Sequence, residues 1–288
     1  MSGTYTYREY PLVSGGRTLH LDCVSAAGTR PEKSILLLHG VTYSSHVFDV
    51  DYKDYSLVRL LAREGWAVWR LDMPGYGRSA PVEDGFLPDS RCAADCISGA
   101  AERIAAETGQ EQLDLLGWSW GTVTAGRFAA RRPARLRRLV LYAPILTGIG
   151  REEISEPFHR NTPAHAAEDF QKLPDGSFDP AAAERTVIER YCSSCLRCDG
   201  ERSPNGGRRE ICVGRDRDLI ELERIAVPTL IICGDRDPYL NAARLADSPA
   251  RLPEGSALCV VPGAGHILML EAPYYHRFQE TVLSFLKK

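Results

Sequence analysis

Leu113-Asp114-Leu115-Leu116-Gly117-Trp118-Ser119-Trp120-Gly121-Thr122-Val123-Thr124-Ala125-Gly126-Arg127-Phe128-Ala129-Ala130 decides the reading of this chain. An apolar run, a G-x-S-x-G pentapeptide and a helix-like segment follow one another. A strand, a tight turn and a helix in that order form the setting in which a serine becomes a nucleophile. The turn is so tight that side chains at its flanks would collide with neighbouring backbone, which accounts for glycine at 117 and 121. Ser119 is then expected at the apex, strained, with its hydroxyl exposed. The helix N-terminus beneath it supplies backbone N–H groups and partial positive charge for a developing oxyanion.

Working outward, strand-like and helix-like segments alternate, which predicts a mostly parallel sheet with helices on its faces. Strands are expected at 18–25, 35–38, 67–71, 138–142, 229–233 and 257–261. The fully apolar Ile35-Leu36-Leu37-Leu38 suits a strand buried on both faces. Helices are expected at 56–64, ending at Gly65, at 90–108, with Gly109 as its stop, and at 273–286. Between residues 145 and 224 the sheet-like apolar runs cease. That stretch reads as a cap inserted between two parts of one core, residues 1–144 and 225–288.

The chain has 288 residues, 44% hydrophobic and 25% charged, with a formal net charge of −3 and no long run of one sign. Such a balance suits a soluble globular protein acting on a small molecule, with no nucleic-acid or membrane partner. The arginines at 131, 132, 135, 137 and 138 read as a solvated helix end. The N-terminus lacks the basic-then-apolar order of a secretory signal, so a cytoplasmic protein is expected, as a monomer or homodimer. Nine scattered cysteines, an odd number, favour reduced thiols over a disulfide scaffold.

A serine hydroxyl needs a base, and the base needs an orienting group. His266 is the preferred base, because Pro262-Gly263-Ala264-Gly265-His266 follows a strand and is flexible enough to reach across the sheet edge. Within Gly234-Asp235-Arg236-Asp237-Pro238, Asp237 is preferred as the acid, and Asp235 is expected to bond local backbone amides. The order Ser119, Asp237, His266 matches one fold and neither common protease order. The N–H groups of Val41 and Trp120 are the expected oxyanion donors, with His39 fixing the loop that carries Val41. Tyr43, His46, Phe48 and Trp118 are candidate substrate-binding residues, and Asp49 or Asp51 a candidate for holding a cationic or hydroxylated group.

These pieces together resemble the α/β-hydrolase fold family: Leu38-His39-Gly40, Asp72-Met73-Pro74-Gly75-Tyr76-Gly77-Arg78-Ser79, the pentapeptide around Ser119, Gly234-Asp235-Arg236-Asp237 and Pro262-Gly263-Ala264-Gly265-His266. The resemblance runs from about residue 17 to the end, apart from the cap. It implies an eight-stranded, mostly parallel twisted sheet with helices on both faces, a mainly helical cap, a Ser/Asp/His triad and no cofactor. It also implies that Asp72 and Arg78 shape a structural turn. Esterases, lactonases, amidases, aminopeptidases, C–C bond hydrolases and acyltransferases share these motifs, so the substrate stays open. Trp120 is similar to the residue after the nucleophile in proline iminopeptidases, but residues 39–43 depart from their longer glycine-proline-rich loop. A serine nucleophile disfavours dehalogenase and epoxide hydrolase chemistry. The expectation is a carboxylesterase-like serine hydrolase cleaving an ester, lactone or amide of a small to medium acyl compound. An acyltransferase or cyclase, an iminopeptidase-like aminopeptidase and a non-catalytic binding relative are the rivals.

Cys192, Cys195 and Cys198 are spaced C-x2-C-x2-C, but Cys212 further on stands alone, so only one end of the cluster has a paired knuckle. Three-residue spacing puts the first three along one helix face, so inert packing is expected rather than a zinc site or a regulatory disulfide. Residues 199–207 read as a flexible, mobile cap loop.

Overall fold

The computed structural model describes residues 4–150 and 153–288. An eight-stranded sheet forms its centre. Its strands are β1 (Tyr5–Ser14), β2 (Arg17–Ala26), β3 (Lys33–Leu38), β4 (Trp66–Leu71), β5 (Leu113–Trp118), β6 (Leu136–Tyr142), β9 (Thr229–Gly234) and β10 (Ala257–Val261), in the order β1-β2-β4-β3-β5-β6-β9-β10. The pairs β1/β2 and β2/β4 are antiparallel, and every other neighbouring pair is parallel. The small β7 (Phe158–Arg160) and β8 (Arg202–Pro204) pair with each other, apart from this sheet.

Period-2 alternation sends neighbouring side chains to opposite faces, and here both faces are covered. Ile35, Leu37, Leu116, Val140 and Tyr142 pack with α1 (Leu57–Arg63) and with the C-terminal helix α8 (Tyr275–Lys287). Leu36, Leu38, Leu115, Leu139 and Leu141 pack on the other face with α2 (Ser90–Thr108) and α3 (Trp120–Arg131). The caps are local chemistry: Ser56 Oγ accepts from the Arg59 N–H at 3.0 Å, Asp89 caps α2, and Gly109 ends it at φ 74°. Strand β1 carries no sequence signal as strong as the central runs, because it is an edge with exposed side chains such as Tyr7. Gly15 and Gly16, at φ 56° and 75°, close its two-residue hairpin to β2.

Residues between β6 and β9 form α4 (Pro163–Ala166), α5 (Arg185–Asp199), α6 (Gly206–Ile211) and the β7/β8 pair. The short α7 (Ala242–Asp247) follows β9. The stretch 199–207 is not the flexible loop that its composition suggests. Asp199 ends α5, residues 202–204 form β8, and Ser203, Pro204, Asn205, Gly206 and Gly207 are buried. Cys192, Cys195 and Cys198 all lie on α5 as free thiols, with Cys195 fully buried. No helix among the described residues is long and apolar enough to cross a membrane.

The antiparallel β2/β4 register places Asp22 opposite Arg70, and the two form a bidentate pair at 2.8 and 2.6 Å, each side chain about nine-tenths buried. Removing one member of such a pair leaves the other buried and uncompensated. Asp22→Ala is expected to lower unfolding free energy by about 3 kcal/mol in urea titrations, against under about 1 kcal/mol if the pair were only decorative.

Candidate active site

Ser119 joins β5 to α3 with φ 56° and ψ −124°, a backbone conformation that side chains rarely adopt. The flanking glycines make it possible. A Cβ on Gly117 would run into the carbonyl of Gly121, and one on Gly121 would meet the carbonyls of Leu38 and His39. The turn is held by the Ser119 N–H to the Tyr142 carbonyl at 3.1 Å and by Thr122 Oγ1–H to the Ser119 carbonyl at 2.6 Å. The Ser119 hydroxyl does not cap its own helix. It lies beside Gly40, where an added Cβ would come within 3.1 Å of Ser119 Cβ.

His266 is 2% exposed on the loop after β10. Its Nδ1 is 2.7 Å from Asp237 Oδ2, while Asp237 Oδ1 accepts from the Tyr239 N–H at 2.9 Å. Trp118 Nε1–H and Tyr142 Oη–H both donate to the His266 carbonyl at 3.2 Å, fixing the loop. Asp235 turns away, accepting from the Gly263 N–H at 2.7 Å. With Nδ1 committed to the carboxylate, Nε2 is the nitrogen left for the cavity that His266 and Ser119 both line. Burial pulls the His266 pKa down, but the Asp237 charge and hydrogen bond, helped by the charge of Asp169, outweigh it and leave it raised.

That cavity has a volume of about 480 Å³. Gly40, Val41, Tyr43 and Trp118 line it from the core, and Ile145, Ile149, Ile154, Tyr191 and Ile211 from the inserted segment. Two of the four expected substrate contacts are absent from the wall. Phe48 is buried behind Trp118, edge to face at 6.5 Å between centroids. His46 is largely buried against Ser44 and Asp199, and that burial pulls its pKa to about 3. Asp49 is taken up by Ser56, Arg59 and Arg70, and Asp51 by Arg59; neither lines the cavity. His39 is fully buried: it accepts the Met73 N–H at Nε2, 3.1 Å, so Nδ1 carries the proton and donates to the Gly40 carbonyl at 2.8 Å. It thereby shapes the loop before Val41.

His165, Glu168, Asp169, Arg208 and Tyr239 also line the cavity, and none was singled out from sequence as a site residue. His165 and Arg208 lie on the short helices α4 and α6, and Glu168 and Asp169 in the turn after α4, where charges look like any solvated surface. Burial raises the Asp169 pKa, with the neighbouring His266 opposing.

The sequence profile described as the alpha/beta hydrolase family matches residues 35–275, and the chain belongs to that family. A pimeloyl-[acyl-carrier protein] methyl ester esterase of Neisseria meningitidis serogroup A is 28% identical, over 87% of this chain and 78% of the relative. Serine hydrolase BPHL of Mus musculus is 27% identical over 89% of this chain and 80% of its own length. Among solved structures, the enol-lactonase of Burkholderia xenovorans LB400 superposes with a TM-score of 0.68 at 19% identity, covering 96% of this chain and all of that one. The fold is shared with it.

Because Gly121 packs against the backbone of residues 38 and 39, Gly121→Ala must push β3 and α3 apart. A loss of about 3 kcal/mol in stability is expected from such overpacking, read by thermal and urea unfolding, together with loss of any Ser119 reactivity. Unchanged stability would contradict the close approach.

Proposed function

We propose that this protein is a serine hydrolase that cleaves an ester of a small to medium acyl compound through an acyl-enzyme on Ser119. The observation that carries this reading is the 2.7 Å contact of His266 Nδ1 with Asp237 Oδ2 on the wall of a cavity that Ser119 also lines. The esterase named among the relatives supports the choice of an ester over a lactone or amide.

Ser119 Oγ attacks the substrate carbonyl carbon while His266 Nε2 takes its proton. Asp237 keeps the imidazole in the tautomer with Nδ1–H and stabilises the imidazolium that forms. Negative charge gathers on the carbonyl oxygen, where the N–H groups of Val41 and Trp120 receive it; one such donor is worth about 3 kcal/mol of barrier. Collapse expels the alcohol with the proton from His266. Water, deprotonated by the same nitrogen, then attacks the acyl-enzyme and releases the acid. The inserted segment, residues 145–224, acts as the cap that closes this cavity.

An active-site fluorophosphonate should label Ser119, seen as a single modified peptide by mass spectrometry, and Ser119→Ala should stay unlabelled. A folded wild-type protein that resists the reagent refutes the assignment.

The base must be neutral to accept a proton. Since the His266 pKa is raised, kcat/KM should fall on the acid side with a midpoint above the ordinary histidine value of about 6.5. Asp237→Asn removes the charge that raises it. That variant should lose about 10⁴-fold in kcat and shift the remaining acid limb to lower pH. An unshifted limb would show that Asp237 does not act on the base.

A further inference from the structure

The loop that carries Val41 is strained and is held from outside the core. Thr42 sits at φ 84°, unusual for a β-branched residue. Two side chains of the inserted segment grip this loop. Arg208, on α6, donates to Thr42 Oγ1. Asp199, the last residue of α5, reaches the next turn. Its Oδ2 and Oδ1 accept from the Ser44 N–H at 3.0 and 3.2 Å, its Oδ2 from Ser44 Oγ–H at 3.2 Å, and its Oδ1 from the Gly77 N–H at 2.9 Å. The carboxylate side chain is 2% exposed. Glycine at 77 lets the two core loops close around it, because a Cβ there would come 2.6 Å from Ser44 Oγ and collide with Asp72.

We propose that Asp199 is a positioning residue, which fixes the Val41–Ser44 turn from the inserted segment and thereby aims the Val41 N–H at the reacting carbonyl. The inference rests on the oxyanion role given to Val41 above.

The energetics separate positioning from mere stabilisation. Burial is the main force on the Asp199 carboxyl and raises its pKa to about 7; the Ser44 and Gly77 N–H groups pull it down, and the Asp72 charge pushes it up. Asp72 faces it from the loop after β4, bonded to Ser45 and to the Arg78 N–H. His46 Nδ1 faces it at 3.4 Å, but with a pKa of about 3 that ring is neutral at working pH and supplies no counter-charge. Cys195 and Cys198 on its own helix, and Tyr43 and Tyr76 from the core loops, are within electrostatic reach and are neutral, with pKa values raised mainly by burial. Arg197 on α5, Arg208 on α6 and Arg70 on β4 are the surrounding cations, reaching His46 or Tyr76 from these elements.

A folded-state pKa above the unfolded value of about 3.9 means that the folded chain binds the extra proton between the two. Stability therefore declines as pH rises through that window, and the ionised carboxylate disfavours the fold relative to its own protonated form. What the carboxylate provides is an acceptor-only surface for three converging donors. An asparagine would turn its NH2 toward one of them.

Activity is thus expected to fall in Asp199→Asn out of proportion to any change in stability. At pH 8 the variant should stay folded, while kcat on a short-chain aryl ester falls about tenfold or more and KM changes by less than about threefold. A kcat less than about tenfold below wild type overturns the proposal, and so does a loss of kcat/KM carried mainly by a rise in KM. Wild-type turnover, measured alongside, separates these outcomes from failure of the serine-hydrolase reading, in which neither protein would react. Should the variant not fold, amide NMR on His266→Ala, where that imidazole no longer titrates, supplies the second readout. The Ser44, Gly77 and Val41 resonances should shift together with a midpoint near 7; a Val41 amide that ignores the Ser44 transition overturns the proposal.

Discussion

The glycine-flanked turn at Ser119 is the constraint on which the rest of this molecule depends. A positive φ at a serine is tolerated only where the surroundings over-determine it. Here that means β5 on one side, α3 on the other, and backbone carbonyls of residues 38, 39 and 121 standing where side chains would otherwise be. The same close approach brings Gly40 against the serine, so the loop after β3 and the start of α3 face one point in space. The backbone of the Ser119 turn cannot be altered without moving β3, β5 or α3 of the central sheet layer.

Around that point the parallel sheet does the gathering. The loops after β3, β5, β9 and β10 all emerge at the C-terminal ends of parallel strands, so residues far apart in sequence meet there. Trp118 and Tyr142, from neighbouring strands, both hold the carbonyl of His266, and Tyr239 packs edge-on to its ring at 4.7 Å. The imidazole is therefore oriented by packing as well as by its carboxylate. On this reading the inserted segment has two tasks: it lines the cavity, and through Arg208 and Asp199 it grips a strained core loop.

The central strands were legible because they are buried on both faces and so are written as apolar runs, as in Ile35–Leu38 and Thr229–Cys233. The long helix was legible in part from Gly109 at its end. Strand β1 was not, since an edge strand with exposed tyrosine and glutamate has no such run. Of the candidate site, the loops were legible from their glycines, and the structure sets Asp237, the residue before the proline, against His266 while Asp235 accepts from the Gly263 N–H. His46 and Phe48 were misplaced because alternation within a short 3-10 turn does not say which side faces a cavity. Asp199, Arg208 and Asp169 could not be read at all. Their meaning comes from partners more than 90 residues away in the chain, and no local pattern distinguishes a charge turned inward from one left in water.

The most direct measurement is a crystal structure of the protein after reaction with a phosphonate ester that mimics the tetrahedral intermediate. The account predicts phosphorus bonded to Ser119 Oγ, one phosphoryl oxygen about 2.7–3.1 Å from both the Val41 and Trp120 N–H groups, and a second oxygen facing His266 Nε2. An adduct on any other residue, or a phosphoryl oxygen directed away from those two amides, would contradict it.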